Sequence, residues 1–206
     1  MDASWTPFAG VALGIGLAAA TGFRVFLPLL VAGLAAHFGH LPLTDAFAWL
    51  GSTTALVMLA TAAAAETLAY YIPGVDHALD VVAGPAALVA GAVASAAVMT
   101  DVPPEVLWPV AIIGGGGIAS LTKGASALVR AKSGLMTGGL ANPVVSTVET
   151  AGATGLALFA ILLPVLTLVL VVAFAIWAVR RLRRAWVGRR ATATATRAAE
   201  RIESKR

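Results

Sequence analysis

Eight charged or titratable side chains interrupt the apolar segments of this chain and could bind an ion, a proton or a polar solute. They are Arg24, Glu66, Asp76, His77, Asp80, Lys123, Arg130 and Glu149. Carboxylates and histidine accept protons or bind cations, whereas lysine and arginine pair with carboxylates or with anions. If the apolar segments lie in a membrane, placing each of these charged side chains in the hydrocarbon costs at least about 2.5 kcal/mol, so these residues are candidates for function.

The composition indicates a membrane protein. Hydrophobic residues make up 59% of the chain and charged residues 12%, against about 25% charged residues in soluble domains. Ten of the 14 Lys and Arg residues follow Val179, so the net charge of +4 belongs to a basic tail. Such a tail is typical of a cytoplasmic end beside anionic lipid headgroups, and it does not indicate a nucleic-acid surface. The absence of cysteine excludes disulfides and thiolate metal sites.

Five apolar runs are long enough to cross a bilayer as helices, which needs about 20 residues. They are residues 8–38, 47–72, 79–99, 107–131 and 151–179. The predicted fold is therefore an all-α, polytopic transmembrane bundle of about five spans, or six if Pro164 divides the last run. Residues 1–186 form the transmembrane domain, and residues 187–206 form a basic tail that is disordered or partly helical.

Most of the eight candidate residues fall near helix ends that share one side of such a bundle, with Arg24 lying deeper. Lys123 either extends its ammonium group toward the interface or pairs with Glu66 or Glu149. Asp76 is expected to cap the third span. Asp76, His77 and Asp80 lie within one helical turn, but without a second cluster no metal site is predicted.

Two further patterns concern packing. The run Gly114 to Gly117 indicates either close helix packing or a broken or re-entrant helix that lines a cavity. Tyr70 and Tyr71 are typical of an aromatic belt at the membrane interface, as are four of the tryptophans, Trp49, Trp108, Trp177 and Trp186.

Motifs of soluble enzymes are absent from the sequence. There is no Walker loop and no paired-histidine zinc motif, and the glycine clusters do not follow strands as a dinucleotide site requires. The chain is therefore expected not to be an enzyme and to need no cofactor.

Several segments resemble a family of bacterial integral membrane proteins named domain of unknown function 4126. The similarity covers most of residues 9–185. Its motifs are residues 23–35 (FRVFLPLLVAGLA), residues 49–52 (WLGS), residues 66–80 (with YIPGVDH inside), residues 122–130 (beginning TKGA) and residues 142–149 (N-x-x-x-S-x-x-E). The chain departs from the family at Thr150, where an acidic residue is usual, and at Tyr71, where a charged residue is frequent. The resemblance implies a bacterial integral membrane protein, and it implies no activity. Together with the basic tail, it predicts a multi-pass protein of the inner membrane whose tail is cytoplasmic.

Three functional hypotheses follow. In the first, the protein is a transporter or channel in which Glu66 and Glu149 bind ions or protons and Lys123 is their counter-charge. In the second, it is a structural or accessory membrane protein whose charges are static ion pairs and helix caps. The third is a metal-dependent lipid enzyme that uses Asp76, His77 and Asp80. The expected partners are the bilayer, anionic headgroups at the tail and, as an open alternative, further copies of the chain.

Overall fold

The structure is a computed structural model that describes residues 7–72 and 75–203, except for the side chains of residues 76, 77, 182 and 185–203. The described residues are helical almost throughout. The helices are α1 (Pro7–Thr21), α2 (Leu27–His37), a 3-10 helix (Asp45–Gly51), α3 (Thr53–Ala69), α4 (Val75–Val98), α5 (Pro104–Pro109), a π-helical segment (Val110–Gly116), α6 (Gly117–Thr137), α7 (Asn142–Leu162) and α8 (Pro164–Glu203).

Four of the described helical stretches are long and apolar enough to cross a membrane. They are Ala78–Val98, Pro104–Thr137, Asn142–Leu162 and Pro164–Arg181. A fifth crossing is obtained if Asp45–Gly51 and Thr53–Ala69, which meet at an angle of 69°, form one bent span. Large apolar side chains face outward on these helices, for example Val81, Ile113 and Leu162, each more than 70% exposed. Such an apolar surface is suited to contact with the hydrocarbon tails of lipids. The prediction of an all-helical multi-pass protein with about five spans is confirmed.

By its internal contacts the chain divides into two compact units, residues 1–171 and 172–206. The first contains α1 to α7 and the start of α8. Its core is built mostly from small and aliphatic side chains of α1, α2, α4 and α7, among them Leu13, Leu17, Leu29, Ala94 and Ala157. The second consists of the rest of α8, where the guanidinium carbon of Arg181 lies 5.3 Å from the ring centroid of Trp177.

The first apolar run is not one spanning helix but two short ones, α1 and α2, separated by residues 22–26. The chain leaves α1 where Gly22 passes so close to α6 that a β-carbon would lie 2.5 Å from the carbonyl oxygen of Ala119. Pro28 stands in the first turn of α2, where a missing N–H costs no hydrogen bond. The break therefore lies beside α6, and the new helix α2 packs against α3, α7 and the 3-10 helix.

The preferred interpretation of the last run as one helix is also wrong. α7 ends at Leu162 and α8 begins at Pro164, and Leu163 between them has φ −138° and ψ 64°. A proline disfavours helical geometry in the residue before it and removes one backbone donor, so the helix ends there. Each half is long enough to cross on its own.

The run Gly114 to Gly117 is helical and closely packed. It lies at the end of the π-helical segment, within a continuous helical stretch from Pro104 to Thr137. A β-carbon at Gly115 would lie 2.8 Å from the carbonyl oxygen of Gly91 in α4. One turn further along the same face of α4, the hydroxyl of Ser95 donates to the carbonyl oxygen of Gly14 over 2.9 Å. Small residues thus hold α4 between α1 and the π-helical segment.

Candidate functional site: a buried charged network

Charged side chains from four parts of the fold meet around one tyrosine. We call this group the Tyr70 network, and it consists of Arg24 from the α1–α2 break, Tyr70 at the end of α3, Asp80 from α4, Lys123 and Arg130 from α6, and Glu149 from α7. Asp80 is 20% exposed, and the other members are at most 6% exposed. The network thus lies inside the helical bundle.

Tyr70 lies at the centre of this network. The guanidinium carbons of Arg24 and Arg130 each lie 4.3 Å from the centroid of its ring, and the ammonium nitrogen of Lys123 lies 5.1 Å from it. The aromatic face stabilises nearby cations, most strongly where water is excluded. Tyr70 is 2% exposed, so its expected place in an interfacial belt is wrong. Tyr71, at 41% exposed, fits such a belt.

Asp80, Lys123 and the hydroxyl of Tyr70 form a closed triangle. The ammonium group of Lys123 donates to Asp80 Oδ1 over 2.8 Å and to the Tyr70 hydroxyl over 2.9 Å. The same hydroxyl donates to Asp80 Oδ1 over 3.1 Å. The second carboxylate oxygen, Oδ2, lies 3.5 Å from Nε of Arg130. Both alternatives for Lys123 are therefore wrong: the side chain is buried and does not extend toward the interface, and its ammonium group pairs with Asp80 and not with Glu66 or Glu149.

Glu149 is the second anion of the network and joins α7 to α6. Its Oε1 accepts a hydrogen bond from the hydroxyl of Ser126, and its Oε2 accepts one from Nη2 of Arg130. Nη2 of Arg24 lies 3.8 Å from the same Oε2 atom. One carboxylate oxygen thus faces two guanidinium groups.

Arg24 is completely buried and contacts α7 along two turns. Its Nε donates to the hydroxyl of Thr150 over 3.1 Å, and its Nη2 donates to the carbonyl oxygen of Ser146 over 3.0 Å and to the hydroxyl of the same residue. These neutral acceptors supplement the distant carboxylate of Glu149. Thr150 thus provides a hydroxyl acceptor for the arginine.

Glu66 lies beside the network but does not pair with a lysine. Its two carboxylate oxygens accept hydrogen bonds from the backbone N–H groups of Val25, over 2.8 Å, and Phe26, over 3.1 Å. These groups precede the first turn of α2, where free N–H donors and the helix dipole favour a negative charge. Glu66 is thereby the residue that holds the start of α2 to the end of α3.

The remaining two candidates, Asp76 and His77, have side chains outside the described residues. Their backbone lies in the first turn of α4. The predicted capping role of Asp76 therefore stays a prediction. Among the described residues there is no group of three His, Cys, Asp or Glu side chains that could hold a metal ion.

The described side chains of the network carry three positive charges and two negative ones. Asp80 contacts Lys123 and Arg130, and Glu149 contacts Arg130 and Arg24. Nη1 of Arg24 and Nη1 of Arg130 are buried and have no hydrogen-bond partner among the described residues. The arrangement can therefore take up a proton on a carboxylate, or it can bind an additional anion at the guanidinium groups.

Sequence reasoning missed the uncharged members of this site. Tyr70 lies four residues after Glu66, so a helical projection places the two side chains on one face of α3. Ser126 precedes Arg130 by four residues in the same way, and Ser146 precedes Glu149 by three. These spacings were available in the sequence, but hydroxyl groups are common in membrane helices and only the contacts distinguish them.

The comparison with known families bears directly on this network. A family model described as domain of unknown function (DUF4126) matches residues 11–184. The chain belongs to this family. The matched range contains every member of the Tyr70 network as well as Glu66. No curated protein and no solved structure matches the chain.

Replacing Tyr70 tests how the network is held. Tyr70→Phe removes the hydroxyl that links Lys123 to Asp80 but keeps the ring, so we expect the free energy of unfolding to fall by about 1–2 kcal/mol. Tyr70→Leu also removes the ring and should cost more. The neighbouring Tyr71→Phe is the matched control, since its hydroxyl contacts Thr147 at an exposed position. Thermal unfolding in detergent measures all three, and equal losses for the two Phe variants would contradict the central place of Tyr70.

Proposed function

We propose that this protein is a small ion or solute transporter or channel whose functional element is the Tyr70 network. The observation that carries the proposal is that five charged side chains from four parts of the fold, four of them buried and Asp80 half-buried, form one contact network. Ionised groups inside membrane proteins are expensive, and replacing a buried ion pair with apolar residues is often neutral or stabilising. A purely structural role does not require so many charges.

The break between α1 and α2 supports the same proposal. Transporters commonly bind their substrates where membrane helices are interrupted, because the free ends of the half-helices face a protected cavity. Here the interruption carries Arg24 into the network, and the first N–H groups of α2 are held by Glu66. A change in the charge of either carboxylate partner would alter how α2 is attached to α3 or α7.

Glu149 is the residue that we expect to respond to ions or protons. Its carboxylate balances Arg24 and Arg130 at once, so neutralising it leaves two buried guanidinium groups without a counter-charge. Lys123 and Asp80 provide the second pair, which Arg130 links to Glu149.

A structural or accessory membrane protein is the second candidate. The observation that favours it is that Asp80, Glu149 and Glu66 all have partners in the structure. In this case the same ion pairs and hydrogen bonds are permanent contacts that hold the helices together. We propose no enzymatic activity in either case.

Reconstitution into liposomes distinguishes the two functions. Proton flux is read with an internal pH dye and chloride, phosphate or acetate flux with ion-selective detection. We expect wild-type vesicles to exceed protein-free vesicles for at least one of these probes, and Glu149→Gln to lower that flux at least tenfold. Glu105→Gln is the matched control, since Glu105 is exposed in the first turn of α5.

The outcome that contradicts transport is equally plain. Wild-type vesicles that pass none of the four probes faster than protein-free vesicles would support the structural role. So would a Glu149→Gln variant that loses thermal stability while the flux stays at the wild-type level.

We further propose that α7 and α8 cross the membrane separately and that the basic tail lies in the cytoplasm of a bacterial cell, beside anionic lipids of the inner membrane. The separate lengths of the two helices support two crossings. Arg180 and Arg181 lie at the end of the second crossing, and Arg183 and Arg184 follow it. Lys and Arg beside a span favour the cytoplasmic side.

Single cysteines test this layout on a chain that has none of its own. One replaces Leu140 in the connection between α6 and α7, and the other replaces Thr192 in α8. Two crossings place both positions on one face, so an impermeant thiol reagent should label both in inverted vesicles and neither in intact cells. Labelling of the two positions from opposite faces would show that α7 and α8 form one crossing.

A further inference from the structure

We infer that Arg24 and Arg130 form an anion subsite for a small carboxylate or inorganic oxyanion. The donors of this subsite are the Nη1 atoms of the two arginines. The inference rests on the proposed function, since it names the class of solute that the same network would carry. It depends on three features of the described residues: unused donors, the neighbours that the two guanidinium groups share, and the chemistry of the donors that remain.

The unused donors are unusual for their depth. Arg24 is 0% exposed and Arg130 is 2% exposed. Each Nη1 atom carries two N–H groups, and neither atom has a hydrogen-bond partner among the described residues. Buried polar groups are nearly always satisfied in native proteins, so a deeply buried pair without partners indicates an absent ligand.

The two guanidinium groups also converge. Both lie 4.3 Å from the centre of the Tyr70 ring, and the Nη2 atoms of both face Oε2 of Glu149. The two guanidinium groups therefore share two neighbours, the ring of Tyr70 and the carboxylate of Glu149. An anion with two or more oxygens can accept from both, as carboxylates and phosphates do with arginine elsewhere.

The chemistry of the free donors favours an anion over a cation. Guanidinium N–H groups donate hydrogen bonds and cannot accept them, and they carry positive charge. The nearby carboxylates already have partners, since Asp80 contacts Lys123 and Arg130, and Glu149 contacts Arg130. The unsatisfied groups of the two arginines are therefore donors, to which an anion can bind.

A third donor lies on the same face of α6. The hydroxyl of Ser133 is buried and has no hydrogen-bond partner among the described residues. Ser126, Arg130 and Ser133 follow the spacing of one helical face, and the first two already contact Glu149. Ser133 extends the polar stripe one turn beyond Arg130, which places the subsite between α6 and the start of α7.

Anion binding is measured on the full chain in detergent, without any flux assay. The thermal unfolding midpoint is followed against acetate, phosphate and chloride at constant pH and ionic strength, with a bulky sulfonate buffer anion as the reference. Ligands that bind only the folded state raise the midpoint with concentration. We expect acetate or phosphate to raise it by several degrees at millimolar concentration, and chloride to have a smaller effect because it offers no second oxygen.

Conservative variants test whether stabilisation by anions depends on the residues of the subsite. Arg24→Lys and Arg130→Lys keep the charge but lose the forked donors, so we expect each to weaken the apparent affinity at least tenfold. Ser133→Ala keeps every charge and should weaken it a few-fold. Arg183→Lys, an exposed tail position outside the network, is the matched control and should bind as the wild type does.

The inference is overturned if neither acetate nor phosphate stabilises the wild-type protein above the sulfonate reference. It is also overturned if Ser133→Ala and whichever lysine variants fold bind like the wild type. Its failure is distinguishable from failure of the proposed function. Anion binding without flux would contradict transport alone, and proton flux without anion binding would contradict the subsite alone.

Discussion

An arginine side chain inside a membrane bundle must find partners, because the desolvation of a buried ion costs several kcal/mol. Arg24 sets this constraint for the whole molecule, since it is fully buried. Its requirement is met by Tyr70 at the end of α3 and by Ser146, Glu149 and Thr150 along α7. The α1–α2 break is therefore fixed against two other helices by one side chain.

Close packing of small residues is what brings the charged groups within reach of one another. Gly22 lets the α1–α2 break approach the backbone of α6, and Gly91 lets α4 approach the π-helical segment. Bulkier residues at these positions would push the helices apart and weaken the contacts between the charged groups. The polar contacts and the glycines are thus one arrangement, in which backbone proximity makes charge compensation possible.

Much of this arrangement could be predicted from the sequence, and the part that could not has a physical reason. Hydropathy is a local property, so the helices and the approximate number of spans were visible in the composition of each run. The division at Pro164 was visible as an alternative, yet choosing it required knowing that Leu163 leaves the helix. Proline inside α4, at Pro85, does not break that helix, so the residue alone does not decide.

Partners are a non-local property, and here sequence reasoning was least successful. Glu66 and Asp80 are both acids near helix ends, but only the fold shows that the first binds backbone N–H groups and the second binds Lys123. Tyr70 and Tyr71 are adjacent and chemically identical, yet a rotation of about 100° along the helix buries one and exposes the other. The sequence indicated that the charged residues lie at similar levels along neighbouring helices, but it did not indicate which residues pair with one another.

The central claim is that charges from different helices compensate one another inside the bundle, and a double-mutant cycle on Asp80 and Lys123 measures it directly. Removing one partner leaves an uncompensated buried charge and should cost about 3–5 kcal/mol, whereas removing both should cost much less than the sum. We therefore predict that the Asp80→Asn and Lys123→Met variants each unfold more readily in detergent than the double variant carrying both substitutions. Strictly additive losses in the free energy of unfolding would contradict the account, because they would show that the two groups do not depend on one another.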